Sequence, residues 1–140
     1  MEELTVDAKP EELDAVLAFV DRQLEAIECP LAAQMQIDMA VDEIFINIAS
    51  YAYTPGTGTA TIRLRTLTEP RAVEITFVDA GVPYNPLDQP DPDVTLPIDE
   101  RPVGGLGIFM VKKSMDDIAY EYRDGLNILT LKKFLLPPLP

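Results

Sequence analysis

Glu43 and Asn47 stand four residues apart inside a long apolar-periodic run. On a helix that spacing puts them about 40° apart around the axis and about 6 Å apart along it, on one face. A glutamate set among Val41, Ile44 and Phe45 is costly to bury, and asparagine is a mediocre helix former, so the pair needs a reason. Two readings fit: a solvated face that Asp42, Glu43 and Asn47 simply wet, or a magnesium-nucleotide site. In the second, the Asn47 amide oxygen is a hard metal ligand and Glu43 is a base or a water-orienting carboxylate. Asp79-Ala80-Gly81 closes an alternating apolar run. An aspartate there can accept a hydrogen bond from an exocyclic amine such as that of adenine, and Gly81 lets a planar base approach the backbone; the same tripeptide is also ordinary turn chemistry. Gly104-Gly105-Leu106-Gly107 precedes a helical pattern, where small residues expose amides that favour an anion. No Gly-Lys-Ser/Thr follows and no apolar strand leads directly into these glycines, which excludes a Walker A loop and a Rossmann unit. A hinge with close helix packing fits the glycines equally well. Arg101, Lys112 and Lys113 are the nearest bases.

The elements that must hold these groups follow from periodicity. Leu4 and Val6 alternate with polar neighbours as a short first strand. Pro10, Glu11 and Glu12 suit a helix's first turn, and Leu13, Val16, Leu17, Val20, Leu24 and Ile27 then form one stripe that ends at Cys29-Pro30. A second, mostly buried helix runs from about Leu31 to Tyr53 with Ile37, Val41, Ile44 and Ile48 as its stripe. Thr59 to Leu67 and Val73 to Phe77 alternate as two strands of an antiparallel hairpin. From Val82 to Val103 no period survives; six prolines and five acids occupy the segment, which reads as a lid. A short helix carries Ile108, Val111 and Met115, and a last hairpin turns at Asp124-Gly125 between Ile118–Tyr122 and Leu126–Phe134. Hairpin-joined strands with one-striped helices give an α/β (α+β) two-layer sandwich, a mostly antiparallel sheet with three helices on one face. We expect one domain over residues 1–136, with the lid at about 82–103 and a tail at 137–140.

Composition narrows the chemistry. The 140 residues hold 24 acids against 11 bases, a formal charge of −13, which disfavours nucleic acid and anionic membrane as partners. The sequence has no histidine and one cysteine, so acid-base work falls to carboxylates and thiolate zinc clusters are excluded. The acidic start and the lack of a long apolar run point to a cytoplasmic protein with no membrane span.

Taken in order, Glu43-x-x-x-Asn47 on a helix, Asp79-x-Gly81 after a strand, a lid, and Gly104-Gly105-Leu106-Gly107 opening a helix resemble the three boxes of the GHKL ATPase superfamily. Within it, the short form, the run Gly104 to Asp116 and the closing hairpin resemble the bacterial anti-sigma-factor serine kinases, over about Leu4 to Lys133. The resemblance implies a Bergerat-type fold with ATP beneath the lid. It implies Asn47 as the Mg2+ ligand, Glu43 assisting the attacking hydroxyl, Asp79 receiving the adenine amine and Gly81 shaping the base pocket. Gly104, Gly105, Leu106 and Gly107 would meet the phosphates, with Arg101 as the lid's only base. By the same resemblance the partners are a STAS-type antagonist, phosphorylated on serine, and a sigma factor, with a homodimer as the assembly. Three features depart from the pattern: Tyr51 stands where many relatives have histidine, Pro83 replaces the second glycine of Asp-x-Gly-x-Gly, and the lid is unusually acidic. These departures keep open a nucleotide-dependent protein-binding module with little transfer, and an acidic interaction protein whose nucleotide site has decayed.

Overall fold

The computed structural model describes residues 1–88 and 106–135. Five strands, β1 (Glu2–Asp7), β2 (Thr59–Thr68), β3 (Arg71–Asp79), β4 (Asp117–Arg123) and β5 (Leu126–Phe134), make one sheet in the order β1-β2-β3-β5-β4. All four pairings are antiparallel. Three α-helices, α1 (Leu13–Ala26), α2 (Leu31–Asn47) and α3 (Leu106–Ser114), complete an α+β sandwich of the expected kind.

Alternation along the strands sends Ala60, Ile62 and Leu64 of β2, Val73, Ile75 and Phe77 of β3, and Leu129 and Leu131 of β5 into one buried cluster. Val16, Val20 and Leu24 of α1 enter it fully buried, as the three- and four-residue spacing requires. From α2 come Ile37, Ala40, Val41, Ile44 and Phe45, and from α3 Ile108 and Val111. The start of α2 departs from the expectation of burial: Leu31 is 71% and Met35 64% exposed, so only the later turns of the helix cover the sheet. The opposite sheet face is polar, with the exposed pair Arg63–Glu3 at 2.8 Å and Arg65 on Glu74, contacts that are worth less than about 1 kcal/mol each.

Local signals act where they were legible. At the Asp124-Gly125 turn both residues have positive φ (55° and 80°), the backbone that a two-residue hairpin favours because its twist matches the strands. Arg71 at the start of β3 donates to the carbonyls of Ile27 and Glu28, placing a cation on the C-terminal end of α1. The second helix does not run unbroken to Tyr53: after Asn47 the chain makes one π turn, Ile48–Ala52. The wider winding falls on residues that line the site below, where such turns are often found.

Candidate nucleotide site

A cleft of about 140 Å³, open to solvent on one side, lies between the end of α2 and the ends of β3 and β5. Its walls are mainly apolar. Ile44, Ile48, Phe77 and Leu129 line it from the core side, and Val82, Pro83 and Pro86 line it from the segment that leaves β3. Asn47, Asp79 and Asn127 supply polar groups, and Tyr51, Tyr84 and Tyr120 supply aromatic ones.

α2 and its π turn join the three sequence motifs. Glu43 packs directly on Gly107 in the first turn of α3: a Cβ there would fall inside 3.0 Å of both carboxylate oxygens. One turn on, Asn47 lines the cleft together with Asp79. At the far end the Ala52 carbonyl closes on Gly81, where a Cβ would again fall inside 3.0 Å, and it accepts the Val82 amide at 3.0 Å. Gly81 is therefore required by close approach to a backbone, whereas Gly107 leaves room for the end of a carboxylate side chain. Glu43 and Asn47 are half-buried, and among the described residues neither side chain has a protein hydrogen-bond partner.

The other end is densely bonded. Asp79 is 7% exposed and its Oδ1 accepts from the Gly81 amide and from Asn127 Nδ2, both at 2.9 Å. Asn127, 6% exposed, also donates to the Val82 carbonyl at 2.9 Å. Its Oδ1 accepts from the Tyr84 amide at 3.1 Å and from the Tyr120 hydroxyl. Burial lifts the Tyr120 hydroxyl above its ordinary value, outweighing a backbone hydrogen bond at Tyr84 that lowers it, and the nearby Asp79 charge adds to the rise. Tyr120 thus remains a proton donor at neutral pH.

Asn127 is the site residue that motif reasoning missed. A signal existed: Asn127, Leu129 and Leu131 share the inward register of β5, and an inward asparagine must find partners. Of the expected set, Glu43, Asn47, Asp79, Gly81 and Gly107 come together around the cleft and its continuation along α2. Leu106 opens α3, whereas Arg101, Gly104 and Gly105 lie outside the described residues, as do the lid beyond Asp88 and the tail.

The donor set fits a magnesium nucleotide. Among the described residues no cluster of three or more acidic, histidine or cysteine side chains could cage a metal. A lone carboxamide and carboxylate suit a cation that keeps phosphate oxygens and waters as its other ligands. No described helix is long and apolar enough to cross a membrane.

Residues 6–133 match the model of the histidine kinase-like ATPase domain. The serine/threonine-protein kinase BtrW of Bordetella bronchiseptica is 33% identical over 101 residues, which cover 72% of this chain and 70% of that one. The serine-protein kinase RsbW of Bacillus mycoides is 33% identical over 98 residues; the match covers 67% of this chain and 60% of RsbW, less than two thirds of that relative. Among solved structures, the RsbU and RsbW domains of Rv1364c from Mycobacterium tuberculosis superpose with a TM-score of 0.63 at 16% identity. That likeness of fold covers 99% of this chain and 34% of the other.

Proposed function

From the premise that the chain belongs to the histidine kinase-like ATPase domain family, we propose that it is a serine protein kinase that uses Mg-ATP held in the cleft between α2 and β3. The observation that carries this reading is the path of α2, which sets Glu43 on Gly107 and Asn47 in the same cleft as Asp79. Asp79 receives the adenine amine, and Gly81 keeps the backbone close enough for the base to lie against it. Asn47 supplies a magnesium ligand, and Gly107, with Gly104 and Gly105 ahead of it, borders the phosphates. When bound, Mg-ATP supplies an activated phosphoryl group whose charge the cation offsets.

Glu43 accepts the proton of the incoming serine hydroxyl as its oxygen bonds to the γ-phosphorus and the bond to ADP breaks. Its place at the first turn of α3 sets it beside the helix end where phosphate is favoured.

The similarity to BtrW and RsbW, both named as protein kinases, supports a protein substrate. We take that substrate to be a small STAS-type antagonist phosphorylated on serine, with a sigma factor as the regulated partner, a homodimer as the working assembly and the cytoplasm as its location. Incubation with γ-labelled Mg-ATP and candidate serine-bearing antagonists tests this: label should pass to the antagonist and stay off its Ser→Ala variant. Label transfer to none of them, with ATP still bound, favours the second reading, a nucleotide-dependent binding module. One observation supports that alternative: no lysine or arginine is among the described residues that line the cleft, and phosphoryl transfer draws on cations.

A further inference from the structure

Asn127 sits at the crossing of two parts of the fold that the sequence keeps far apart. The β3–β5 register sets it directly opposite Asp79. Its amide orientation is fixed by partners that cannot exchange roles. The Tyr84 main-chain amide can only donate, so the atom it meets is the oxygen, and the Val82 carbonyl can only accept, so the atom it meets is the nitrogen. The Tyr120 hydroxyl supplies the second donor to that oxygen. The nitrogen then delivers its remaining hydrogen to Asp79 Oδ1, which the Gly81 amide also holds.

Two consequences follow from these bonds. Both protein donors occupy Oδ1, which pins the carboxylate plane and leaves Oδ2 of this cleft-lining residue without a protein donor among the described residues. The same amide also clamps the chain leaving β3 at Val82 and Tyr84, where the lid begins. Resting on the proposed nucleotide reading, we infer that Asn127 is a positioning residue for base selection: it fixes Asp79 so that one carboxylate oxygen singles out purines carrying a 6-amino group, and it ties that selection to the lid's first residues. The ligand class is an adenine nucleotide as opposed to a purine nucleotide lacking that amine.

The test compares calorimetric Kd values for Mg-ATP and for the magnesium complex of purine riboside triphosphate, which lacks only the 6-amino group. The wild-type chain is measured against Asn127→Leu and Tyr120→Phe, the second removing one hydroxyl and leaving the fold's packing in place. Wild type should prefer ATP by about tenfold, the worth of one well-placed hydrogen bond to a charged group. In Asn127→Leu the preference should fall to within about twofold of unity, and in Tyr120→Phe it should fall part of the way, in the same direction. Hydrogen exchange at the Tyr84 amide should quicken in Asn127→Leu, a local change that base binding no longer suppresses. Equal weakening of both nucleotides in both variants, with the wild-type ratio preserved, overturns the inference while leaving the nucleotide site standing. Failure of wild type to bind either nucleotide overturns the underlying reading as well. If Asn127→Leu does not fold, an unchanged ratio in Tyr120→Phe is sufficient to reject the role.

Discussion

The two ends of the cleft are built differently. At the Asp79 end the polar groups are bonded to one another: buried Asp79 and Asn127 and half-buried Tyr120 form one network with the chain from Gly81 to Tyr84. At the Glu43 end the carboxylate and the Asn47 amide are half-buried and, among the described residues, without protein hydrogen-bond partners. The first arrangement can discriminate before anything binds, because its donors and acceptors are already oriented. The second keeps its polar atoms available for groups that arrive with the ligand, as a reacting centre must. In the proposed reading, selection falls to the rigid end and chemistry to the open end.

Substitutions at the open end should separate transfer from binding. Glu43→Gln keeps the shape and removes the base; phosphotransfer to the antagonist should fall by about 10²- to 10⁴-fold while the Kd for Mg-ATP stays within about threefold. A parallel loss of binding would merge the two ends into one. At the rigid end the reverse should hold. Asp79→Ala should weaken Mg-ATP binding by about ten- to a hundredfold, the cost of a hydrogen bond to a charged group, as read by calorimetry.

The two glycines sharpen the contrast through what a methyl would meet. On Gly81 it meets the Ala52 main chain, which cannot step aside, so Gly81→Ala should cost about 1–3 kcal/mol of stability by denaturant unfolding. On Gly107 it meets the end of the Glu43 side chain, which can rotate away. Gly107→Ala should therefore leave stability within about 0.5 kcal/mol and lower transfer by displacing the base. Equal destabilisation by both would show that the Glu43 end is as firmly packed as the other.

The smallest expected effect lies away from both ends. Between α1 and α2, burial and the facing carboxylates of Asp21 and Glu25 push Asp38 up to about 7 from 3.8, and its Oδ1 is buried with no partner. Asp21 itself accepts from Gln34 at 3.2 Å, and the Cys29 thiol, raised chiefly by its own burial, feels the Asp38 charge as well. Between those two values the folded state binds the proton more tightly than the unfolded chain, so stability falls as pH rises from about 4 to about 7. Asp38→Asn should flatten that slope in thermal unfolding while leaving the Kd for Mg-ATP unchanged.

The sequence made legible those features that rest on local rules. The α1 stripe, the β2 alternation and the Asp124-Gly125 turn all appear where periodicity and turn chemistry place them. Glu43 and Asn47 stood out because a polar pair on an apolar helix is expensive, and Asp79 because it ends an apolar strand. Asn127 did not stand out, since its value depends on a partner 48 residues away across the β3–β5 pairing, a register that no local pattern encodes. The π turn was equally hidden: Ile48 to Ala52 continue the helical composition, and the Ala52 carbonyl's contacts with Gly81 and Val82 lie far along the chain.

Titration of the intact chain with Mg-ATP in a calorimeter, in parallel with Asp79→Ala, tests the cleft as the nucleotide site most directly. One saturable site in the wild-type chain, weakened by at least about tenfold in the variant, is the result expected. Binding of the same strength in both, or no heat from a folded wild-type chain at millimolar nucleotide, would contradict it.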